Sequence, residues 1–152
     1  MTRDGAETSL ALDALAAAFC DGTLPRAAWT HEAHLRVGAW HVHHHGPEAA
    51  LPLLRARIRS LNDRHGTVNS ATSGYHETIT GAYLRLIAAF LAATAGADLE
   101  ARVAALLASP LAERTALFHY WSRERLLSPE ARAAWLEPDR TPLAWPPTGG
   151  AG

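Results

Sequence analysis

Apolar side chains recur along most of the chain at the three- and four-residue spacing of amphipathic helices, and no stretch alternates at the two-residue period of a strand. The pattern predicts seven helical segments, at 7–20, 31–45, 51–65, 75–95, 98–108, 110–121 and 129–135. We therefore expect an all-α fold, a compact single-domain bundle of about six to seven helices. The domain is expected to span residues 1–143, followed by a flexible Pro/Gly-rich tail at 144–152.

Residues at the segment ends support these bounds. Thr30 is a good N-cap for the second segment, and Gly46, which precedes a proline, is a strong stop. Ser109 and Ser128 also precede prolines, a combination typical of an N-cap and the first helical residue. Because Pro52 lies inside the third segment, the start of that helix is expected to be irregular or bent.

Composition excludes several classes of chemistry. The 152 residues include 14 basic and 15 acidic side chains, and every basic residue is Arg. The absence of Lys excludes Schiff-base catalysis and the P-loop, and the single cysteine excludes disulfides within the chain and all-cysteine metal sites. The net charge of -1 argues against nucleic acid or an anionic membrane as a partner. No apolar run reaches the roughly 20 residues of a membrane span, so we expect a cytoplasmic protein.

Histidine is the residue in excess, with nine copies at positions 31, 34, 41, 43, 44, 45, 65, 76 and 119. The two-residue connection after residue 45 predicts that the second and third helices are antiparallel neighbours. The start of the second helix, the end of the third and the start of the fourth should then lie together. On this topology His31, His34, His65 and His76 are expected to meet at one end of the bundle.

Spacing within the second helix refines this expectation. His31 and His34 are three residues apart and share one helix face. On the same stripe, Gly38 leaves a gap that either admits a ligand or lets another helix approach. The run is one residue short of the H-E-x-x-H signature, so a metalloprotease is not predicted. The tract formed by residues 41, 43, 44 and 45 lies at the other end of the helix and is interpreted as solvated surface histidine.

Four segments, residues 29–35, 61–66, 74–80 and 122–128, together resemble a family of small, functionally uncharacterised bacterial proteins. The motifs that carry the resemblance read W-T-H-x-x-H-L and G-Y-H-E-T-x-T. The resemblance covers about residues 29–143 and implies no stated activity. It does imply that the histidines at 31, 34, 65 and 76, with Glu77 and Arg125, belong to the family pattern.

The leading hypothesis is a metal-dependent enzyme that acts on a small molecule through metal-activated water or dioxygen. His34 and His76 are the preferred ligands, with His31 or His65 as the third; the predicted metal site therefore consists of His31, His34 and His76. This nitrogen-rich set suits Zn, Fe, Cu or Ni. The catalytic candidates are three further side chains, Glu77 as general base, Tyr75 and His65. Tyr75, Thr80 and Tyr83 are expected to line the pocket.

Two other hypotheses remain open. The same polar end suits a non-catalytic helical module that binds a small ligand or a partner chain. A metal-free acid–base enzyme that uses the adjacent pair His76 and Glu77 is a third option. Self-association into a homo-oligomer is also left open by the sequence.

Overall fold

The computed structural model describes residues 10–145, and within this range the chain forms seven α-helices and three short 3-10 turns. The α-helices are α1 (Leu12–Asp21), α2 (His31–His45), α3 (Pro47–His65), α4 (Glu77–Ala93), α5 (Leu99–Leu107), α6 (Arg123–Leu126) and α7 (Pro129–Ala133). The 3-10 turns are Arg26–Ala28, Pro110–Ala112 and Ala116–His119. No strand occurs within residues 10–145, and the predicted all-α, single-domain bundle is confirmed.

The capping residues behave largely as predicted. The Thr30 side chain accepts a hydrogen bond from the Ala33 amide at 3.1 Å, and α2 ends at Gly46, where φ is +83°. The third helix begins earlier than expected, because the proline at 47 serves as its first residue. Helix α1 begins at Leu12. The predicted start near residue 7 lies outside the described residues.

The predicted helix over 110–121 is wrong; two separate 3-10 turns occupy this segment. Glu113 is extended, with ψ at 141°, and interrupts the helical path. The carbonyl of Ala112 accepts a hydrogen bond from the His31 ring, and the Tyr83 hydroxyl donates to the Glu113 carbonyl. These long-range contacts use carbonyl oxygens that a continuous helix would bond to its own amides.

Helix α2 lies at the centre of the bundle and contacts α1, α3, α4 and α5. Its buried side includes Leu35, Val37 and Ala39. A Cβ atom added at Gly38 would lie 3.1 Å from the Ile87 Cδ1 atom, so the glycine allows α2 and α4 to approach closely. Helices α3 and α4 also pack against each other, and a groove bounded by all three helices remains beside Gly38.

The C-terminal segment packs against the bundle up to the last described residue. The Tyr120 hydroxyl donates to the Ala144 carbonyl at 2.7 Å, and the Trp145 ring lies 5.9 Å from that of Phe90. Residues 144 and 145 therefore belong to the packed domain, whereas the remainder of the predicted tail lies outside the described residues. None of the helices in residues 10–145 combines the length and apolar character needed to cross a membrane.

A candidate small-molecule cavity lined by His31 and His34

An open cavity of about 370 Å³ lies between α2, α3 and α4. Its apolar lining consists of Trp29, Leu35, Gly38, Leu54, Ile58, Ile79, Leu84 and Ile87. Its polar lining consists of Thr30, His31, His34, Thr80, Tyr83 and Arg114. Its leucines and Ile87 are buried core residues, so the wall of the cavity is part of the hydrophobic core. The site is therefore an apolar recess with a polar rim.

Each of the two cavity histidines is fixed by one backbone carbonyl. The Nε2 atom of His31 donates to the Ala112 carbonyl at 3.0 Å, and the Nδ1 atom of His34 donates to the Thr30 carbonyl at 2.7 Å. A carbonyl only accepts, so these contacts determine which nitrogen carries the proton. The second nitrogen of each ring has no hydrogen-bond partner among residues 10–145. Both rings therefore present a free acceptor.

The protein keeps both rings neutral. His34 is exposed to solvent as a residue, but the protein atoms packed around its ring displace enough water to lower its pKa to about 4. Burial also lowers the pKa of His31, and the positive charge of Arg114 acts in the same direction on both rings. At neutral pH the two imidazoles are hydrogen-bond acceptors or proton acceptors rather than cations.

Aromatic contacts hold the rim in place. The His34 ring stacks on the Trp29 indole, with centroids 3.6 Å apart and an interplanar angle of 26°. The His31 ring meets the Tyr83 ring edge-on at 5.9 Å. Burial raises the pKa of Tyr83 to about 12, so its hydroxyl is protonated near neutral pH. Each cavity histidine is therefore held against an aromatic side chain as well as by its carbonyl.

His65 does not reach the cavity. It closes α3, and its Nε2 atom donates to the Leu24 carbonyl at 2.8 Å. This hydrogen bond ties the end of α3 to the segment that connects α1 to α2. The expected meeting of His65 with His31 and His34 is not found.

His76 also lies away from the cavity, as the N-cap of α4. Its Nδ1 atom accepts from the Ile79 amide at 3.1 Å, and its Nε2 atom donates to the Leu126 carbonyl at 2.9 Å. Both ring nitrogens are therefore occupied, which leaves no lone pair for a metal ion. The ring joins α4 to α6 and has a structural role in this arrangement.

Glu77 and Tyr75 form a separate network with Arg55. The Arg55 guanidinium contacts both carboxylate oxygens of Glu77, at 2.9 and 2.7 Å, and the Tyr75 hydroxyl donates to the same carboxylate at 2.7 Å. Arg55 holds the pKa of Glu77 below its ordinary value, and burial raises the pKa of Tyr75. Of the three residues expected to line the pocket, Thr80 and Tyr83 do so and Tyr75 does not.

The interpretation of His41 as a solvated residue is wrong. His41 is fully buried; its Nδ1 atom donates to the Val37 carbonyl at 2.8 Å, and its Nε2 atom accepts from Arg57 at 2.8 Å. Val37 lies four residues earlier, one helical turn before His41. The ring packs against α1, where Phe19 meets it edge-on. The other three histidines of the tract, at 43, 44 and 45, are exposed as expected.

The described residues do not form the predicted metal site. Within residues 10–145 no group of three or more His, Cys, Asp or Glu side chains is arranged to hold a metal ion. His31 and His34 share the cavity, while His76 is committed to its cap. The structure thus places only two of the predicted ligands together. A resident transition metal generally takes at least three protein ligands, so this pair is one ligand short.

Sequence reasoning missed two contributors to the site. Arg114 enters the lining through the irregular segment that was predicted as a helix. Trp29 stacks on His34 from a position just before the helix; the W-T-H-x-x-H spacing already places an aromatic five residues ahead of an imidazole. No local pattern identifies Arg114, because its position depends on long-range contacts of the 110–121 segment.

No family model, curated protein or solved structure matches this chain. The resemblance of its motifs to an uncharacterised bacterial family stays a prediction.

Proposed function

We propose that the protein binds a small, largely apolar molecule in the cavity between α2, α3 and α4. The observation that carries this proposal is the pair of neutral imidazoles that line the apolar recess. Each is fixed by a backbone carbonyl, and the second nitrogen of each has no hydrogen-bond partner among residues 10–145. Unpaired acceptors beside apolar walls favour a ligand with an apolar body and a hydrogen-bond donor.

The size of the cavity sets the scale of the ligand. Its volume of about 370 Å³ corresponds to roughly a dozen water molecules at about 30 Å³ each. A compound with one aromatic ring and a short polar chain is of this size. Phenylpropanol, which combines a phenyl ring with a hydroxyl donor, is therefore a suitable neutral probe.

Gly38 provides the direct test. A methyl group at this position would lie 3.1 Å from the Ile87 Cδ1 atom, and Ile87 can yield by turning into the cavity. We expect Gly38→Ala to fold and to bind phenylpropanol at least about tenfold more weakly, because the apolar space is reduced. Titration calorimetry measures the phenylpropanol affinity of both proteins. The NMR chemical shift of the residue-38 amide reports whether the probe binds at this position.

A matched control is available in α4. Gly81→Ala also adds a methyl group to a helix, against Trp135 at 3.3 Å, but Gly81 does not line the cavity. It should leave phenylpropanol affinity unchanged. Equal phenylpropanol affinities for the wild type and a folded Gly38→Ala variant would contradict the proposal.

Acid–base catalysis at the same cavity is a second candidate. His34 is neutral, is fixed through its Nδ1 proton and lines the cavity, so its second nitrogen is placed to accept a proton. With a pKa of about 4 the ring is a weak base at neutral pH, and it would act only on a strongly acidic C–H bond. Deuterium exchange at an acidic C–H bond of a bound carbonyl compound would report on this role. Exchange that is catalysed by the wild type and lost in His34→Phe, which preserves a ring against Trp29, supports catalysis.

The metal-dependent hypothesis remains a prediction with its own test. A variant lacking the exposed histidines at 43, 44 and 45 removes the surface tract that binds nickel adventitiously. Titration of this variant with zinc should give no stoichiometric site, because His31 and His34 lack a third protein ligand within the described residues. One-to-one binding that disappears in His34→Ala would restore the hypothesis.

A further inference from the structure

The described lining of the cavity carries a single formal charge. Among the lining residues within 10–145 only Arg114 is charged at neutral pH, and none of them is Asp or Glu. The chain as a whole has a net charge of -1, so this local positive charge does not reflect a generally basic protein. An isolated cation at the rim of an apolar recess attracts an anion of matching size.

Arg114 has no partner within the part of the chain that the structure describes. It forms no ion pair and no side-chain hydrogen bond there, in contrast to Arg55, which is paired with Glu77. The side chain is exposed, so its five N–H donors are available to a ligand at the cavity mouth. A carboxylate matches the planar guanidinium fork and gains two parallel hydrogen bonds.

The imidazoles add a second requirement. The free nitrogens of His31 and His34 accept hydrogen bonds, and a bare carboxylate has no proton to donate to them. A ligand that satisfies the whole rim must carry an acceptor for Arg114 and a donor for an imidazole. A hydroxyl group next to a carboxylate supplies both, and an apolar body fills the recess.

From this arrangement we infer that the cavity selects a hydroxy acid with an apolar body: the carboxylate bound by Arg114, the hydroxyl donating to His31 or His34. The inference rests on the proposed small-molecule function and assigns the chemical class of its ligand. The recess accommodates one aryl ring or a short branched alkyl chain.

Four probes that share one phenyl ring separate the two recognition elements. Phenyllactate has both the carboxylate and the hydroxyl, phenylpropanoate lacks the hydroxyl, phenyllactamide lacks the charge, and phenylpropanamide lacks both. Titration calorimetry at neutral pH should rank phenyllactate first. Loss of the charge should weaken binding by about tenfold or more, since charge-assisted hydrogen bonds are the stronger ones.

Variants assign each element to its residue. Arg114→Gln should weaken phenyllactate by about tenfold and leave phenyllactamide unchanged. His34→Phe, which keeps the ring against Trp29, should reduce the difference between phenyllactate and phenylpropanoate. The control Arg123→Gln alters an exposed arginine outside the lining and should change neither affinity.

The outcomes distinguish this inference from the proposed function. Two results would contradict the hydroxy-acid class and leave the proposed cavity binding intact. One is equal affinity for phenyllactate and phenyllactamide; the other is an Arg114→Gln variant that still prefers the acid. If phenylpropanol and all four probes fail to bind the folded wild type, both proposals fall. The inference is supported if Arg114→Gln lowers the affinity for the two acids and leaves the affinity for the two amides unchanged.

Discussion

The imidazole of His34 lies almost parallel to the indole of Trp29, with ring centroids 3.6 Å apart. The carbonyl of Thr30 accepts from the Nδ1 atom of the same imidazole. Stacking fixes the plane of the ring, and the hydrogen bond selects one of the two orientations that a ring flip would exchange. Of the two ring nitrogens, Nε2 is consequently the one without a hydrogen-bond partner among residues 10–145.

The tautomers of the cavity histidines are a direct prediction of these contacts. His34 should be protonated at Nδ1, and His31 at Nε2, because each of these atoms donates to a carbonyl. Long-range nitrogen–proton NMR spectra at neutral pH distinguish the two forms, and His34→Phe assigns the His34 signals. An Nε2-protonated His34 would contradict the geometry.

Replacement of His76 should affect folding rather than the cavity. His76→Ala removes the cap of α4 and leaves the Leu126 carbonyl without its donor, which should cost about 1–3 kcal/mol of unfolding free energy. His76→Asn supplies a good N-cap and should recover about 1 kcal/mol of this loss. Denaturant unfolding measures the unfolding free energy of both variants. Phenylpropanol affinity should remain unchanged in each folded variant.

Arg55 and Glu77 should be coupled in stability. The pair is bidentate, but the Arg55 side chain is 39% exposed and the Glu77 side chain 15%, so solvent screening limits the coupling to about 1 kcal/mol. A double-mutant cycle with Arg55→Gln and Glu77→Gln measures this value. Weaker phenylpropanol binding by a stable Glu77→Gln variant would instead place Glu77 in the binding machinery.

Acid should destabilise the protein through His41. Burial lowers the pKa of His41 from an ordinary 6.5 to about 4, so the unfolded chain binds an additional proton between these pH values. The stability contributed by the neutral ring is complete above about pH 6.5 and is lost as pH falls toward 4. The loss should amount to roughly 2–3 kcal/mol.

Denaturant unfolding at several pH values tests this dependence. A His41→Gln variant removes the titrating group and should show a shallower decline on the acid side, whereas His43→Ala alters an exposed neighbour and should retain the wild-type profile. Identical pH profiles for the wild type and a folded His41→Gln variant would show that His41 is not the responsible group.

The sequence by itself determined the helices and many of their ends. Apolar periodicity and local capping residues such as Thr30 and Ser128 act over a few residues, so they can be recognised without knowing the fold. It also placed His31 and His34 on one face of α2, because helical spacing alone fixes that relationship. These two residues are the part of the predicted site that the structure brings together.

Tertiary structure decided what each remaining histidine contacts. His65 and His76 sit at helix ends, as the sequence implied, but their rings bond to the carbonyls of Leu24 and Leu126, which are distant in sequence. His41 became a core residue because α1 covers it. Likewise, Arg114 reaches the cavity because contacts to Ala112 and Glu113 interrupt a local helical pattern. Local spacing carries no information about such long-range pairings, and they determine which histidines remain free to bind a ligand.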